Sequence, residues 1–212
     1  TIKYLDELDN LSYFKAFIIS VPPDKHMEYA HKAFDNNISC FIEASVVDEG
    51  MKELLDKMKT NDRVKICPSC TLTFHPSIKL IKNLIEGGKI GKVSNFSYHS
   101  GQYLPDWHPW EDYRDFFVSD RRSNGCRELF AIELPWLSDV FGEIVKVDVL
   151  KSKMSTLSVD YNDNYLVLIQ HATGYKGTLA VDIVSRKAVR SLEIYGEQLY
   201  LTWDGSPNGL YV

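Results

Sequence analysis

The stretch Phe17-Ile-Ile-Ser-Val-Pro-Pro-Asp-Lys-His-Met-Glu-Tyr-Ala-His31, continued by Cys40-Phe-Ile-Glu-Ala-Ser45, reads as one strand–helix–strand unit. Residues 16–21 are almost wholly apolar and stop at Pro22-Pro23, the pattern of a strand covered on both faces and ended by a turn. The period then changes. Met27, Ala30, His31 and Phe34 fall at i, i+3, i+4 and i+7 on one helix face, with Asp24 placed to cap it and Asn36-Asn37 to end it. Residues 38–42 are again apolar and β-prone. Two strands joined by a helix imply a parallel pair with a right-handed crossover, and ligands bind such sheets at the loops leaving the C-terminal strand ends. Those loops are 20–26 and 43–45.

A strand ending in Thr/Ser-x-Pro-x-x-x-His, a helix, and a second strand ending in Glu-Lys-Pro resemble the glucose–fructose oxidoreductase / inositol dehydrogenase (Gfo/Idh/MocA) family of nicotinamide-dependent oxidoreductases. This chain carries Ser20-Val21-Pro22-Pro23-Asp24-Lys25-His26 and Glu43-Ala44-Ser45; of the second motif it keeps only the glutamate. The resemblance implies NAD or NADP as cofactor, with Ser20, Val21, Pro22, Pro23, His26, Glu43 and Ala44 beside the nicotinamide and its ribose. It also implies a Rossmann domain, a doubly wound parallel sheet, opening on Gly-x-Gly-x-x-Gly. The first glycine here is Gly50. About two βα units of the family pattern are therefore expected before Thr1, with further sheet after Val212; a degenerate member that does not bind the cofactor is the alternative.

The 212 residues provide ample core, and 44% hydrophobic with 12% aromatic residues is the composition of a soluble globular protein. A net charge of −5 argues against nucleic acid and acidic membranes as partners. No apolar run approaches the ~20 residues of a membrane span, and no signal peptide is legible, so a cytoplasmic location is expected. Four scattered cysteines form no disulfide framework. Cys67-Pro-Ser-Cys70 has redox or half-zinc spacing, but nothing supplies a second metal pair; one of the two is expected to be buried, and no metal site is assigned.

Taken in order, residues 6–14 form a short amphipathic helix, Val47 to Met58 another, and residues 64–67 a third strand, completing a partial Rossmann domain over residues 1–70. A helix then runs from Pro76 to Gly87-Gly88, and strands are expected over 93–103, 145–157, 164–171, 177–185, 190–195 and 198–203. Residues 71–212 thus form an α+β domain on a large, mainly antiparallel sheet. In the family this sheet is open-faced and packs on another subunit, implying a homo-oligomer. By the same resemblance His75 faces the substrate.

Tyr103-Leu-Pro-Asp-Trp-His-Pro-Trp-Glu-Asp-Tyr-Arg114 is the first stretch that carries chemistry. Aromatic faces stack on sugar rings while Arg, His and carboxylates bond hydroxyls, so Trp107, Trp110 and Arg114 are candidate substrate contacts and His108 a candidate base. The string looks like the surface-polysaccharide and sugar-biosynthesis branch of the family. The second stretch, Asn124 to Gly142, resembles the family helix Asp-x-x-x-His-x-x-Asp, with Glu128 at the first position, Ile132 where the histidine stands and Pro135 at the last. With Ala44 in place of lysine, both usual proton-handling groups are replaced. Glu133, expected at a pocket edge, is the substitute base, with Glu128 and His108 as further candidates and Arg127 as a substrate contact. Pro135 is expected to bend this helix or to start it near residue 134. Two functions follow: an NAD(P)-dependent oxidoreductase acting on a sugar or sugar-nucleotide hydroxyl, or a catalytically inactive sugar-binding or scaffolding protein.

Overall fold

A computed structural model describes Leu11 and residues 13–212; the helix expected over 6–14 falls mostly outside them. The chain divides into two compact units at Ser69/Cys70.

The first unit is a three-stranded parallel sheet in the order β1–β2–β3: β1 Ala16–Ile19, β2 Ser39–Ile42 and β3 Ile66–Pro68. Phe17 pairs with Cys40, and Cys40 with Ile66. The crossover between β1 and β2 is α1, His26–Asp35, preceded by a 3-10 turn over Pro23–Lys25. Asp24 therefore sits in that turn and does not cap α1, whose N-cap is Lys25. Asn37 ends the helix at φ 57°, a left-handed conformation that asparagine tolerates. Met27, Ala30, Ala33 and Phe34 pack against Phe17, Ile19, Cys40 and Ile42 to form the core. The second helix, α2 Met51–Met58, begins later than its apolar spacing suggests, because Gly50 at φ 82° turns the chain just before it.

The second unit is built on a seven-stranded sheet in the order β10–β9–β8–β4–β7–β6–β5. These are β4 Val93–Gly101, β5 Ile144–Ser152, β6 Asn164–His171, β7 Lys176–Asp182, β8 Val189–Gly196, β9 Tyr200–Trp203 and β10 Leu210–Tyr211. Only β4 and β7 pair in parallel; every other neighbour is antiparallel. Strand β5 stops five residues short of the expected 157 because residues 153–163 fold into a loop around the Asp163 carboxylate. Two helices, α3 Pro76–Glu86 and α4 Gly125–Phe141, share a core with one sheet face through Ile78, Ile81, Trp136, Leu137, Phe96, Tyr98, Leu179 and Leu192. Phe96 stacks on Phe141 with centroids 4.1 Å apart, and Gly177 lies directly under it: an added Cβ would sit 2.3 Å from the ring.

Helix α4 starts at Gly125, with the Asn124 side chain accepting from the Arg127 N–H at 2.9 Å, and continues through Pro135. Of the two expectations for Pro135, a start near 134 is excluded, since the cap and the burial of Leu129, Glu133, Trp136 and Leu137 outweigh the single hydrogen bond that proline withholds from Ala131. On the other sheet face, Leu150, Leu166 and Leu168 are 75%, 51% and 59% exposed. They border a groove of ≈ 850 Å³ that also takes in Ser97, His99, Asp148, Thr178 and Ala180. No helix among the described residues is long and apolar enough to cross a membrane.

Candidate functional site

In the first unit the two ligand-side loops are tied to each other by one side chain. His26 is buried; its Nε2–H donates to the Val21 carbonyl at 2.8 Å, and Nδ1 lies 2.6 Å from Ser45 Oγ. A carbonyl only accepts, so Nε2 carries a proton, while the Ser45 hydroxyl beside Nδ1 also reaches the Glu43 carbonyl at 3.5 Å. His26 therefore holds residues 20–26, after β1, against residues 43–45, after β2. Its buried ring makes it a bracket for these loops, while Ser20, Glu43 and Ala44 stay at least partly accessible. Of the Cys-x-x-Cys pair, Cys67 is exposed and Cys70 half-buried; the expected burial of one falls instead on Cys40, whose thiol is pushed up to about 11 by burial and by Cys67.

In the second unit the aromatic loop is anchored at the start of α4. Trp107 donates its indole N–H to the Gln102 carbonyl at 3.2 Å, and its ring packs beside Gly125, where an added Cβ would lie 3.4 Å from it and 3.0 Å from the Ile183 side chain. The Trp107 ring is accordingly part of the packing there. His108 stacks on Trp110 (4.8 Å between centroids) and lies tilted at 40° against Phe116 (4.2 Å), with Nδ1 2.5 Å from Glu111 Oε1. Trp110 is 75% exposed. Arg114 is committed to Asp112, which that guanidinium draws down to about 2. His75 accepts from the Ser77 N–H at 3.2 Å as the N-cap of α3, and its ring lies 5.2 Å from that of Trp203.

Glu133 is not at a pocket edge. It is fully buried between α4 and the sheet. One oxygen accepts from Ser100 Oγ (3.0 Å) and from Arg190 Nη2 and Nε (2.9 and 3.1 Å); the other accepts from Tyr98 OH (2.6 Å) and Trp136 Nε1 (2.7 Å). The reason lies in periodicity: a step of about 100° from Ile132 carries residue 133 to the face that also bears Leu129, Trp136 and Leu137. Burial and this carboxylate push the Tyr98 hydroxyl up. Burial alone lowers Arg190, but Glu133 outweighs it and the guanidinium ends above its usual value.

Near the start of α4, Arg127 donates to the Arg122 carbonyl at 2.7 Å and lines a polar cavity of ≈ 420 Å³. Arg121, Lys151, Lys153, Asn162 and Tyr165 line it too. None of these five was legible as a site residue: Lys151 and Tyr165 meet only through the β5–β6 register, Lys153 and Asn162 lie in the loop joining those strands, and Arg121 comes from the segment before α4. No group of three or more His, Cys, Asp or Glu side chains among the described residues is placed to hold a metal.

Residues 78–202 match the family model described as the GFO/IDH/MocA C-terminal domain. The chain belongs to the GFO/IDH/MocA family. No curated protein sequence matches it. Among solved structures it is similar to the WlbA dehydrogenase from Bordetella pertussis in complex with NADH and UDP-GlcNAcA, with TM-score 0.79 and 15% identity over 100% of this chain and 62% of that one. An inositol dehydrogenase homolog from Azotobacter vinelandii complexed with NAD+ gives TM-score 0.76 and 15% identity over 95% and 55%. A levoglucosan dehydrogenase in complex with NADH gives 0.73 and 19% over 90% and 54%. The chain thus spans between 54% and 62% of the length of these structures.

Proposed function

We propose that this chain is part of an NAD(P)-dependent oxidoreductase acting on a hydroxyl of a sugar or sugar nucleotide. The observation that carries the reading is the His26 bracket, which fixes the two loops at the C-terminal ends of β1 and β2 in the family's order. Those loops fit the nicotinamide end of the cofactor: Ser20, Val21, Pro22, Pro23, Glu43 and Ala44 would hold it. Residues 1–49 contain no glycine and so supply no glycine-rich cradle for the pyrophosphate. When bound, the nicotinamide accepts or donates hydride at C4.

The proton of the sugar hydroxyl is assigned to His108. Its hydrogen bond to Glu111 supports a base that gains positive charge, and about a third of its side chain is accessible. Glu133 is set aside, since both oxygens are occupied by five donors and Arg190 already neutralises it. Trp110 offers the exposed ring for stacking on a pyranose, Trp107 holds the loop that carries it, and Arg127 is the substrate-side cation. Glu128, on the first turn of α4, remains a secondary candidate. The assembly proposed is a homo-oligomer through the open sheet face.

The second reading, a catalytically inactive binding or scaffolding member, is favoured by Ala44 and Ile132 at the positions of the usual lysine and histidine. Nicotinamide fluorescence separates the two. The oxidoreductase reading expects the full-length protein to bind NADH at micromolar levels, and His108→Asn to lower sugar oxidation ~10²–10⁴-fold with NADH affinity unchanged. Full-length protein that leaves NADH fluorescence unaltered overturns it.

A further inference from the structure

Four cations and one carboxylate, Asp160, line the cavity beside the start of α4 in a chain whose net charge is −5, and the cations are not equivalent. Lys153 is consumed by the fold: it donates to Asp163 at 3.1 Å and to the Ser155 and Leu157 carbonyls at 2.9 Å each. Three remain. Arg121 meets Asp160 only at 3.9 Å with both side chains at least 78% exposed, a geometry that is screened by water. Arg127 spends one N–H on the Arg122 carbonyl, which fixes its stem and leaves other guanidinium donors. Lys151 has no partner among the described residues. Asn162 and Tyr165, bonded to each other, supply neutral polar groups and a ring on the same wall.

Like charges gathered around one concavity repel, and Asp160, 3.9 Å from Arg121 and exposed to water, offsets only part of that repulsion. A single carboxylate is satisfied by one bidentate arginine and would leave the other two cations facing each other. Two linked phosphates offer enough oxygens for all three, and ≈ 420 Å³ lies in the ~300–1,000 Å³ range of small-molecule sites. We propose that this cavity binds the diphosphate of a nucleotide-linked sugar, with Arg121, Arg127 and Lys151 as phosphate ligands and Asn162 and Tyr165 against the adjoining sugar or nucleoside. The proposal rests on the oxidoreductase reading only in taking that ligand to be the substrate.

Calorimetric titration of the full chain with UDP, ADP, pyrophosphate and uridine tests it without any turnover. Expected are binding of at least one nucleoside diphosphate, competition by pyrophosphate, no binding of uridine, and weakening as salt rises from about 50 to about 300 mM, which shortens the Debye length about 2.4-fold. Lys151→Gln and Arg127→Gln, both at exposed positions, should each weaken the diphosphate ~10-fold or more while leaving the melting temperature in place. No heat with either diphosphate, uridine binding as tightly as UDP, or unchanged affinity when Lys151→Gln and Arg127→Gln are combined would each overturn the proposal. NADH fluorescence on the same samples keeps the readings apart: diphosphate binding without NADH binding sinks the oxidoreductase reading alone, and the converse sinks only this site.

Discussion

At the scale of single residues, Glu133 shows how a change of one position along a helix exchanges chemistry for structure. The carboxylate next to Ile132, expected at a pocket edge, turns into the core and gathers Tyr98, Ser100, Trp136 and Arg190. A charge removed from water is tolerated only when neutralised and fully hydrogen-bonded, and the arrangement here supplies both. Glu133→Gln keeps the shape but removes the counter-charge of Arg190 and turns one acceptor into a donor facing two or more donors. It should cost about 3 kcal/mol and lower the melting temperature by ~6–12 °C. The double change Glu133→Gln, Arg190→Met should recover part of that loss, because no unpaired charge is left. A thermal melt of Glu133→Gln indistinguishable from wild type would return Glu133 to the list of solvent-facing bases. His108 is the opposite case: its ring is framed by Trp110 and Phe116 but the group itself remains within reach of a ligand.

At the scale of elements, what the sequence discloses is whatever repeats locally. Strand β6 alternates Val167, Ile169 and His171 inward with Leu166, Leu168 and Gln170 outward, and its bounds are readable from that alternation alone. The two-residue β10 is too short for any period, and the start of α2 was obscured because Val47 continues the helical spacing across Gly50. The candidate base and the aromatic loop were visible as a composition. The partners of Glu133 were not, since Ser100 and Arg190 come together only through the β4–β8 register. Nor was the loop over 153–163, where buried Asp163 accepts from Met154 N (2.6 Å), Ser155 N (3.0 Å), Ser155 Oγ (2.5 Å) and Lys153 Nζ (3.1 Å). Burial pushes this carboxyl up, but those four donors outweigh it and the folded value lies below the usual one. A depressed carboxyl contributes stability that is fully present above the unfolded pKa of about 3.9 and is lost as pH falls through the lower folded value. Urea unfolding between pH 7 and pH 2 should thus show a loss of stability beginning below about pH 4. Asp163→Asn should be less stable by about 2–3 kcal/mol at pH 7 and should lose less on acidification. Parallel pH profiles for the two proteins would show that the carboxylate is not what the loop is folded around.

At the scale of the whole molecule, the sheet of the second unit has one face sealed by α3 and α4 and one left open. Its inward positions carry the core residues Phe96, Tyr98, Val167, Ile169, Leu179 and Val181, whereas the outward ones mix leucines with polar side chains. Leu150, Leu166 and Leu168 are more than half exposed and adjoin in register, Leu150 opposite Leu166. Contiguous apolar surface of this kind on a water-soluble sheet costs free energy until another surface covers it. Lys146 and Asp148 precede Leu150 on β5, 3.7 Å apart, so the patch carries a charged rim of both signs beside its leucines, a surface that can be self-complementary. The prediction is that the protein sediments as a dimer or higher oligomer, and that Leu166→Asp with Leu168→Asp shifts it to monomer. Both side chains are solvent-facing within the subunit, so the thermal transition of the monomer should remain cooperative. If the wild type is monomeric at concentrations near 100 µM, or if the double variant keeps its oligomeric mass, the open face is not the contact between copies.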